Sequence, residues 1–311
     1  MYILITFIYK KKVIEIIHKN WRIYEQKKKN FILAYLATFV FNVYNLFILY
    51  NLAHVKLFFY KQNKFSCYLM KVLCFIPVFN EESNLDQLVR EINTENYKID
   101  EFLFVNSGST DSSLDIIKES GYKYLSIKKN KGLGYLFIQA INYGIDNNFD
   151  IFVVLSGNNK MNPKDFKTVL DPILYNDFDF VWGSRFLEEG MSINTPKFRG
   201  SSIPILSKIV SLLFSKKVTD ATNGFRAFKI NKFIEILPTF DQKWLYGYSF
   251  ETYFFGLFLG NKKIKFTEVP VEIRYKKNKK HTKIKPIFDY PSIVLPFFVA
   301  KFISIKKNLK K

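Results

Sequence analysis

Residues 72–92 read VLCFIPVFNEESNLDQLVREI, and the class of fold follows from this stretch. The first seven residues, VLCFIPV, are apolar and rich in β-formers, which predicts a short buried strand. Asn80 then stands where a helix N-cap is expected, and apolar side chains recur on one helical face from Leu85 to Ile92. A strand that passes directly into an amphipathic helix predicts the first unit of an alternating α/β fold.

The same alternation continues along the chain. Further strands are predicted at 101–105, 122–127, 151–155, 178–186 and 262–274. Helices are predicted between them at 114–120, 130–147 and 163–175. Strands and helices at this spacing predict a doubly wound, mainly parallel sheet with helices on both faces. In such a sheet the functional site lies at the carboxyl ends of the strands.

The charge of the chain is concentrated at its ends. The 311 residues carry a net charge of +20, of which residues 1–70 contribute +9 and residues 261–311 contribute +12, whereas residues 71–260 sum to −1. A nucleic-acid-binding domain usually carries its basic residues across one face of the folded core, so we expect no nucleic-acid partner. Basic, aromatic-rich ends favour an anionic membrane surface instead. Solvated tails are the alternative.

These shifts in composition divide the chain into three segments. We predict an N-terminal extension (1–69), an α/β domain (70–275) and a basic, amphipathic C-terminal segment (276–311). Residues 31–53 carry no charge and are long enough to span a bilayer, although three asparagines interrupt them. The alternatives are an interfacial helix, a re-entrant hairpin, or a misplaced start of a chain whose domain begins at Met70. Residues 291–303 predict an interfacial helix or one packed on the core.

Cysteine and histidine give no metal-binding pattern. Cys67 and Cys74 lie in or beside apolar stretches, and the three histidines are scattered. Buried, reduced thiols in a cytosolic protein are therefore expected.

Four polar motifs carry the functional argument. They are PVFNE (77–81), VNSGSTD (105–111), SGNNK (156–160) and DATNGFR (220–226). Each has a local explanation, such as a helix cap in the second motif. Together, in this order and spacing, they resemble the family 2 glycosyltransferases of the GT-A fold, and most of all the dolichyl- or polyprenyl-phosphate sugar synthases. The resemblance covers residues 70–275 or so and implies a GT-A domain.

The resemblance implies a site for a nucleoside-diphosphate sugar. The residues implied to bind the nucleotide are Pro77, Phe79, Asn80, Glu81, Asn106, Ser107, Gly108 and Lys131. The family usually has two aspartates where this chain has Asn106 and Ser107, which leaves the identity of the base open. Lys131 stands in a KGLG turn that would let the backbone approach a ligand at a helix N-terminus.

The resemblance also implies an acceptor site. Arg185, Arg199 and Ser202 match positions that contact the acceptor phosphate, and guanidinium groups suit phosphate oxygens. A pair of surface arginines is the alternative. Asp220 and Glu251 match acidic positions implied to be catalytic. Asp220 would act as a base toward a hydroxyl acceptor or orient Arg226, and Glu251 would act in the chemistry or form an ion pair.

The family's metal-binding acids are replaced. The resemblance implies Asp-x-Asp ligands for Mg²⁺ or Mn²⁺, whereas this chain has Ser156, Asn158 and Lys160 at the matching positions. Neutral oxygens hold a hard cation less strongly than carboxylates, and an ammonium group repels it. We therefore predict a weak metal site at Ser156 and Asn158 or none, with Lys160 contacting the diphosphate in place of the ion.

The functional expectation is a glycosyltransferase on the cytoplasmic face of a membrane, either peripheral or anchored by its N terminus. Its partners would be a nucleotide-sugar donor, a lipid-phosphate or glycan acceptor, and the anionic membrane surface. Two alternatives remain open. One is transfer to a sugar hydroxyl in surface polysaccharide synthesis, and the other is a protein that binds nucleotide sugars without catalysis.

Overall fold

The structure is a computed structural model of the 311-residue chain. It describes residues 70–237, 240–276 and 286–309, together with isolated helical positions between residues 12 and 50. The chain divides into two compact units, Met1–Ser66 and Cys67–Lys311. The predicted membrane segment at 31–53 lies mostly outside the described residues. Among the described residues, no helix combines the length and the apolar character needed to cross a bilayer.

The second unit is built on a seven-stranded sheet in the order β3-β2-β1-β4-β7-β5-β8. Six strands run in one direction, and β7, which lies between β4 and β5, is antiparallel to both. A second, two-stranded parallel sheet pairs β6 with β9. The strands are β1 (Val72–Val78), β2 (Glu101–Asn106), β3 (Lys123–Ser126), β4 (Ile151–Val154), β5 (Phe180–Ser184), β6 (Met191–Ile193), β7 (Arg226–Lys229), β8 (Phe266–Pro270) and β9 (Glu272–Arg274).

Helices cover both faces of the large sheet. They are α1 (Glu82–Thr94), α2 (Ser113–Glu119), α3 (Leu133–Asp146), α4 (Phe166–Asn176), α5 (Lys197–Phe214), α6 (Ile230–Ile236), α7 (Ser249–Gly260) and α8 (Pro286–Leu309). Short 3₁₀ turns at Pro163–Asp165 and Lys243–Leu245 precede α4 and α7. The mainly parallel, doubly wound sheet predicted from the sequence is confirmed.

The strands are apolar throughout because the sheet is buried on both faces. In β1, Leu73 and Phe75 belong to one hydrophobic cluster, whereas Val72, Cys74 and Ile76 belong to the cluster on the opposite face. Cys74 is a free, fully buried thiol, and burial raises its pKa well above the ordinary value. An inert core residue is the result, as the sequence predicts for this cysteine.

Two local predictions were wrong. The expected strand over 262–274 is two strands, since β8 joins the large sheet and β9 joins the small one. Asn80 is not the cap of α1, because Glu81 occupies that position and Asn80 has a left-handed backbone with φ of 51°. The antiparallel β7 and helices α5 to α7 were not predicted. The motifs around them had been interpreted only as site residues.

Candidate functional site

A cleft opens at the carboxyl ends of the central strands, with a volume of about 1020 Å³. The register of the sheet explains why the motifs meet there. Val78 of β1 pairs with Asn106 of β2, and Val154 of β4 pairs with Arg226 of antiparallel β7, so the first three motifs leave the sheet at the edge where the fourth enters it. The predicted site residues that line the cleft are Pro77, Phe79, Asn80, Glu81, Ser107, Ser156, Asn158, Lys160, Arg185 and Arg199. Those that do not line it are Asn106, Gly108, Lys131, Ser202, Asp220 and Glu251.

The first two motifs form one wall by bonding to each other. The backbone N–H of Asn80 donates to Ser109 Oγ at 3.0 Å, and Asn80 Oδ1 accepts from the Thr110 N–H at 2.8 Å. Asn106 is buried behind this wall, where its amide donates to Ser126 Oγ and its oxygen accepts from the Ser109 N–H. Asn106 therefore shapes the turn, while Ser107 faces the cleft.

The KGLG turn serves packing within the chain. A Cβ on Gly132 would lie 2.4 Å from the Tyr246 carbonyl oxygen, and the φ of Gly132 is +98°. The first N–H groups of α3 donate to the carbonyls of Tyr246 and Gly247. Two N–H groups at this helix N-terminus are thus engaged by the chain's own backbone, while Gly132 and Leu133 line the cleft. Lys131 lies outside the cleft with its ammonium 4.4 Å from the Tyr135 ring centroid.

The SGNNK turn lies directly against the first motif. A Cβ on Gly157 would approach the Pro77 carbonyl oxygen to 2.6 Å, so only glycine fits without displacement. Within the turn, Asn158 Oδ1 accepts from the Lys160 N–H at 3.2 Å. The turn therefore presents Ser156, Asn158 and Lys160 to the cleft in a fixed order.

An ion pair holds the back of this turn. Arg274 of β9 donates to Glu91 of α1 at 2.7 Å and also contacts Asn159 Oδ1 at 3.3 Å. The backbone N–H of Arg274 donates to the backbone carbonyl of Lys160 at 2.8 Å. Burial favours a raised pKa for Glu91, but hydrogen bonds from Arg274, Asn159 and Gln87 outweigh it and hold the pKa below its ordinary value. Glu91 and Arg274 thus fix the position of Lys160 without lining the cleft.

Basic groups converge on Tyr275. Arg185 Nη1 donates to the Tyr275 hydroxyl at 2.6 Å. The Lys160 ammonium lies 5.6 Å from the Tyr275 ring centroid, and the Arg199 guanidinium lies 5.7 Å from it. Lys276, the next residue, also lines the cleft. We call Lys160, Arg199 and Lys276 the basic cluster. Among the described residues that line the cleft, Glu81 is the only carboxylate.

Asp220 forms a buried ion pair with Arg185. Its carboxylate is fully buried and accepts from Arg185 Nε at 2.6 Å and from Nη2 at 3.2 Å. Burial alone favours a lowered pKa for Arg185, but Asp220 and Tyr275 reverse this and raise it. The predicted pairing of Asp220 with Arg226 was wrong, because Asp220 orients Arg185. Arg185 in turn has few N–H groups left for a phosphate, so Arg199 is the more accessible arginine.

Glu251 forms an ion pair with Arg226, the alternative anticipated for it. The Arg226 guanidinium is fully buried and lies 4.5 Å from the Trp182 ring and 5.2 Å from the Phe254 ring. Burial lowers the pKa of Arg226 to about 9, which still leaves the side chain charged at neutral pH. The pair therefore lies in the core and not on the surface of the cleft.

The turn does not fit a Mg²⁺ or Mn²⁺ ion. A hydroxyl and an amide oxygen are weak ligands for such ions, and the Asn158 oxygen already accepts a hydrogen bond within the turn. The third position presents an ammonium group, which repels a cation. Within the described residues, no cluster of three or more carboxylate, histidine or cysteine side chains is placed to hold a metal.

Several lining residues were not predicted. Tyr275, Lys276, Asn130 and Asn223 all face the cleft. Among the described residues, Asn223 Nδ2 is buried without a hydrogen-bond partner, which makes it available as a donor to a ligand. Tyr275 and Lys276 follow a strand that the sequence indicated, but their approach to the cleft depends on the second sheet, which the sequence does not indicate.

Known proteins are similar to this chain in sequence. Residues 74–237, more than half of the chain, match the profile described as Glycosyl transferase family 2. A UDP-N-acetylglucosamine–dolichyl-phosphate N-acetylglucosaminyltransferase of Methanococcus voltae is 28% identical over 66% of this chain and 86% of its own length. An uncharacterized Methanocaldococcus jannaschii protein is 27% identical over 51% of this chain, and the match spans only 64% of that relative.

The fold also matches a solved enzyme. Glucosyl-3-phosphoglycerate synthase from Mycobacterium tuberculosis, in complex with Mn²⁺, UDP-glucose and phosphoglyceric acid, superposes with a TM-score of 0.59. The match covers 78% of this chain and 84% of that one at 15% sequence identity. At this identity the similarity concerns the fold.

Proposed function

The chain belongs to glycosyl transferase family 2, and we propose that it transfers a sugar from a nucleoside-diphosphate sugar to a polyprenyl phosphate. The name of the Methanococcus voltae relative supports a lipid-phosphate acceptor. The UDP-glucose complex of the structural neighbour supports a nucleotide-sugar donor in the cleft. A donor of this kind favours the cytoplasmic face of the membrane as the place of action.

Our choice of acceptor rests on the fact that each of the two predicted catalytic acids is bound by an arginine. Asp220 is bound by Arg185, and Glu251 is bound by Arg226, and neither lines the cleft. A hydroxyl acceptor needs a base to remove its proton, whereas a phosphate is already ionised and needs none. A cleft whose only lining carboxylate, among the described residues, is Glu81 suits a phosphate acceptor better than a sugar hydroxyl.

The reaction then needs positioning and charge stabilisation. A phosphate oxygen of the acceptor forms the new bond to the anomeric carbon. The bond from that carbon to the diphosphate breaks, and the nucleoside diphosphate leaves with the electron pair. We assign Arg199 to the acceptor phosphate and Lys160 to the diphosphate, where charge grows as the bond breaks. Pro77, Phe79, Asn80, Glu81 and Ser107 would hold the nucleoside.

Transfer should persist without divalent cations. The donor set at Ser156 and Asn158 does not suit Mg²⁺ or Mn²⁺, and the Lys160 ammonium supplies positive charge there. We expect less than a twofold change in kcat/KM when EDTA is added to dialysed enzyme. A metal-dependent glycosyltransferase assayed in parallel serves as the control for chelation. Loss of activity that only Mg²⁺ or Mn²⁺ restores would overturn the assignment of Lys160.

The acceptor class can be tested with matched lipids. Purified protein is incubated with labelled UDP- or GDP-sugars and with a polyprenyl phosphate, the corresponding polyprenol, or a lipid-linked oligosaccharide. We expect label in the polyprenyl phosphate and none in the polyprenol, because no base is present for the alcohol. Preferential labelling of the oligosaccharide would instead identify a hydroxyl transferase. Binding of a donor with no turnover on any acceptor would identify a non-catalytic protein.

The Glu91–Arg274 ion pair behind the SGNNK turn should contribute to the stability of the fold. We expect Glu91→Gln to lower the free energy of unfolding by about 1 kcal/mol at pH 7, since the pair is three-quarters buried. The lowered pKa of Glu91 means that this stabilisation is complete above the ordinary glutamate pKa and is lost as the pH falls through the lowered one. Denaturant titrations of both proteins should therefore differ at pH 7, and the difference should shrink at a pH below the ordinary glutamate pKa. An equal difference at both pH values would contradict the role of the charge.

A further inference from the structure

One buried side chain of the cleft has an unused hydrogen-bond donor. Asn223 is only 1% exposed, yet it is among the residues that line the cleft. Its Oδ1 accepts from the backbone N–H of Phe225 at 2.9 Å. This bond fixes the orientation of the amide, because the reverse orientation would set the amide N–H against the Phe225 N–H. Nδ2 therefore points away from the turn, and among the described residues it has no acceptor.

A buried donor of this kind favours the binding of a ligand oxygen. Buried amide groups are nearly always paired, because an unpaired one has lost its hydrogen bonds to water without replacement. The other unpartnered nitrogens among the described residues belong to Arg226 and Arg274, each of which has a carboxylate partner and lies outside the cleft. Among the described residues that line the cleft, Asn223 thus combines burial with an unused donor.

The residues on either side of Asn223 contact different parts of the cleft. Gly224 packs on the residue that follows the SGNNK turn, since a Cβ on Gly224 would lie 2.6 Å from Met161 Cε. Thr222 contacts the arginine side, since its Oγ1 accepts from Arg185 Nη2 at 3.4 Å. Asn223 therefore lies between the turn that we assign to the diphosphate and the arginine side that we assign to the acceptor.

The transferred sugar is the part of the substrates that lies between these two places. In the proposed reaction its anomeric carbon exchanges a bond to the diphosphate for a bond to the acceptor phosphate. The phosphates suit charged donors such as Lys160 and Arg199. A sugar offers neutral oxygens instead, namely its hydroxyl groups and, in an N-acyl sugar, a carbonyl. The neutral amide of Asn223 matches an oxygen of this second kind.

We propose that Asn223 is a specificity-determining residue whose Nδ2 donates a hydrogen bond to a hydroxyl or N-acyl carbonyl oxygen of the transferred sugar. The identity of the ligand rests on the proposed function, whereas the unused donor is a feature of the chain itself. A donor sugar without an oxygen at this point leaves the buried N–H unpaired and is selected against.

The test compares the affinities of nucleotide sugars and of their nucleoside diphosphates for wild-type protein and for Asn223→Ser. Serine retains an oxygen near the Phe225 N–H, but its shorter side chain has no group at the place of Nδ2. Calorimetric titrations use UDP, UDP-glucose and UDP-N-acetylglucosamine, and then GDP and GDP-mannose. We expect Asn223→Ser to bind the preferred nucleotide sugar about tenfold more weakly and its nucleoside diphosphate within about twofold of wild type.

Asn261→Ser is the matched control. Asn261 Oδ1 accepts from the Lys263 N–H at 2.9 Å, which is the same two-residue turn as at Asn223, but Asn261 does not line the cleft. We expect the control to bind every nucleotide and nucleotide sugar within about twofold of wild type. A loss of sugar-dependent affinity in Asn261→Ser as large as that in Asn223→Ser would contradict the proposal.

Thermal unfolding separates a contact with the sugar from a structural role. Free Asn223→Ser should unfold at the wild-type temperature or above it, because the substitution removes a buried donor that has no acceptor. A lower melting temperature with equal losses of affinity for UDP and UDP-sugar would show that Asn223 only shapes the turn. If Asn223→Ser does not fold, Asn223→Asp replaces it. This isosteric variant retains the bond to Phe225, and its ratio of the two affinities should fall by the same factor.

Analogues of the preferred donor identify the sugar oxygen. The analogue that lacks this oxygen should bind wild type about tenfold more weakly than the parent does, and should bind wild type and Asn223→Ser alike. If the substitution weakens every analogue as much as the parent, Asn223 does not contact the sugar. A sugar-dependent loss of affinity without turnover on any acceptor would support the contact while the proposed transfer fails. Turnover with an unchanged affinity ratio in Asn223→Ser would support the transfer and overturn the contact.

Discussion

Asp220→Ala is expected to lower the free energy of unfolding by about 3–5 kcal/mol, because it leaves the buried Arg185 guanidinium without its counter-charge. The Asp220 carboxylate accepts two bonds from Arg185, and its own backbone N–H donates to the half-buried Glu268. Removing the carboxylate thus leaves one buried cation unpaired while Glu268 remains. Urea titration at pH 7 measures the change.

Two further variants give this prediction its controls. Asp115→Ala removes a carboxylate from an exposed pair with Lys118, and we expect a loss of less than about 1 kcal/mol. Asp220→Leu with Arg185→Met removes both charges, so most of the lost stability should return. A single variant Asp220→Ala that unfolds like Asp115→Ala would contradict the buried pair. If Asp220→Ala is stable but inactive, the carboxylate acts in the chemistry after all.

Lys160→Ala is expected to lower kcat by about 10²–10³-fold, the cost of removing one charge-stabilising group from a site where negative charge develops. The Lys160 side chain lines the cleft beside Tyr275 at the position implied for the diphosphate. Because the added negative charge appears as the bond breaks, kcat should fall more than the KM for the donor rises. Steady-state kinetics with the best donor and acceptor measure both.

The matched control is Lys164→Ala. Lys164 is an exposed lysine four residues away, outside the cleft, and its removal should leave kcat within a factor of two. Lys160→Arg keeps the charge and should recover part of the lost rate. If Lys160→Ala and Lys164→Ala behave alike, the turn does not supply the positive charge. If Lys160→Arg is as slow as Lys160→Ala while donor affinity is unchanged, the shape of the side chain matters more than its charge.

Periodicity and spacing were sufficient for the parallel strands of the large sheet. The run VLCFIPV and its counterparts are apolar on both sides because both faces of the sheet are buried, so their pattern reports the parallel core directly. Strands of a doubly wound sheet end at one edge, which is why the polar motifs after them could be assigned to one site before any contact was known. The replacement of acids by Ser156, Asn158 and Lys160 was also visible in the sequence.

The partners of the charged residues were not visible in the sequence. Asp220 binds Arg185, which is 35 positions away, and Glu91 binds Arg274, which is 183 positions away. Such pairs arise from strand order and from the split between β8 and β9, neither of which leaves a periodic signal. Helix α5 also has a burial pattern that the sequence does not show, since its exposed and its buried apolar residues are of the same types. Residue types and strand ends are local properties that a sequence carries, whereas which side is buried and which charges meet are properties of the packed chain.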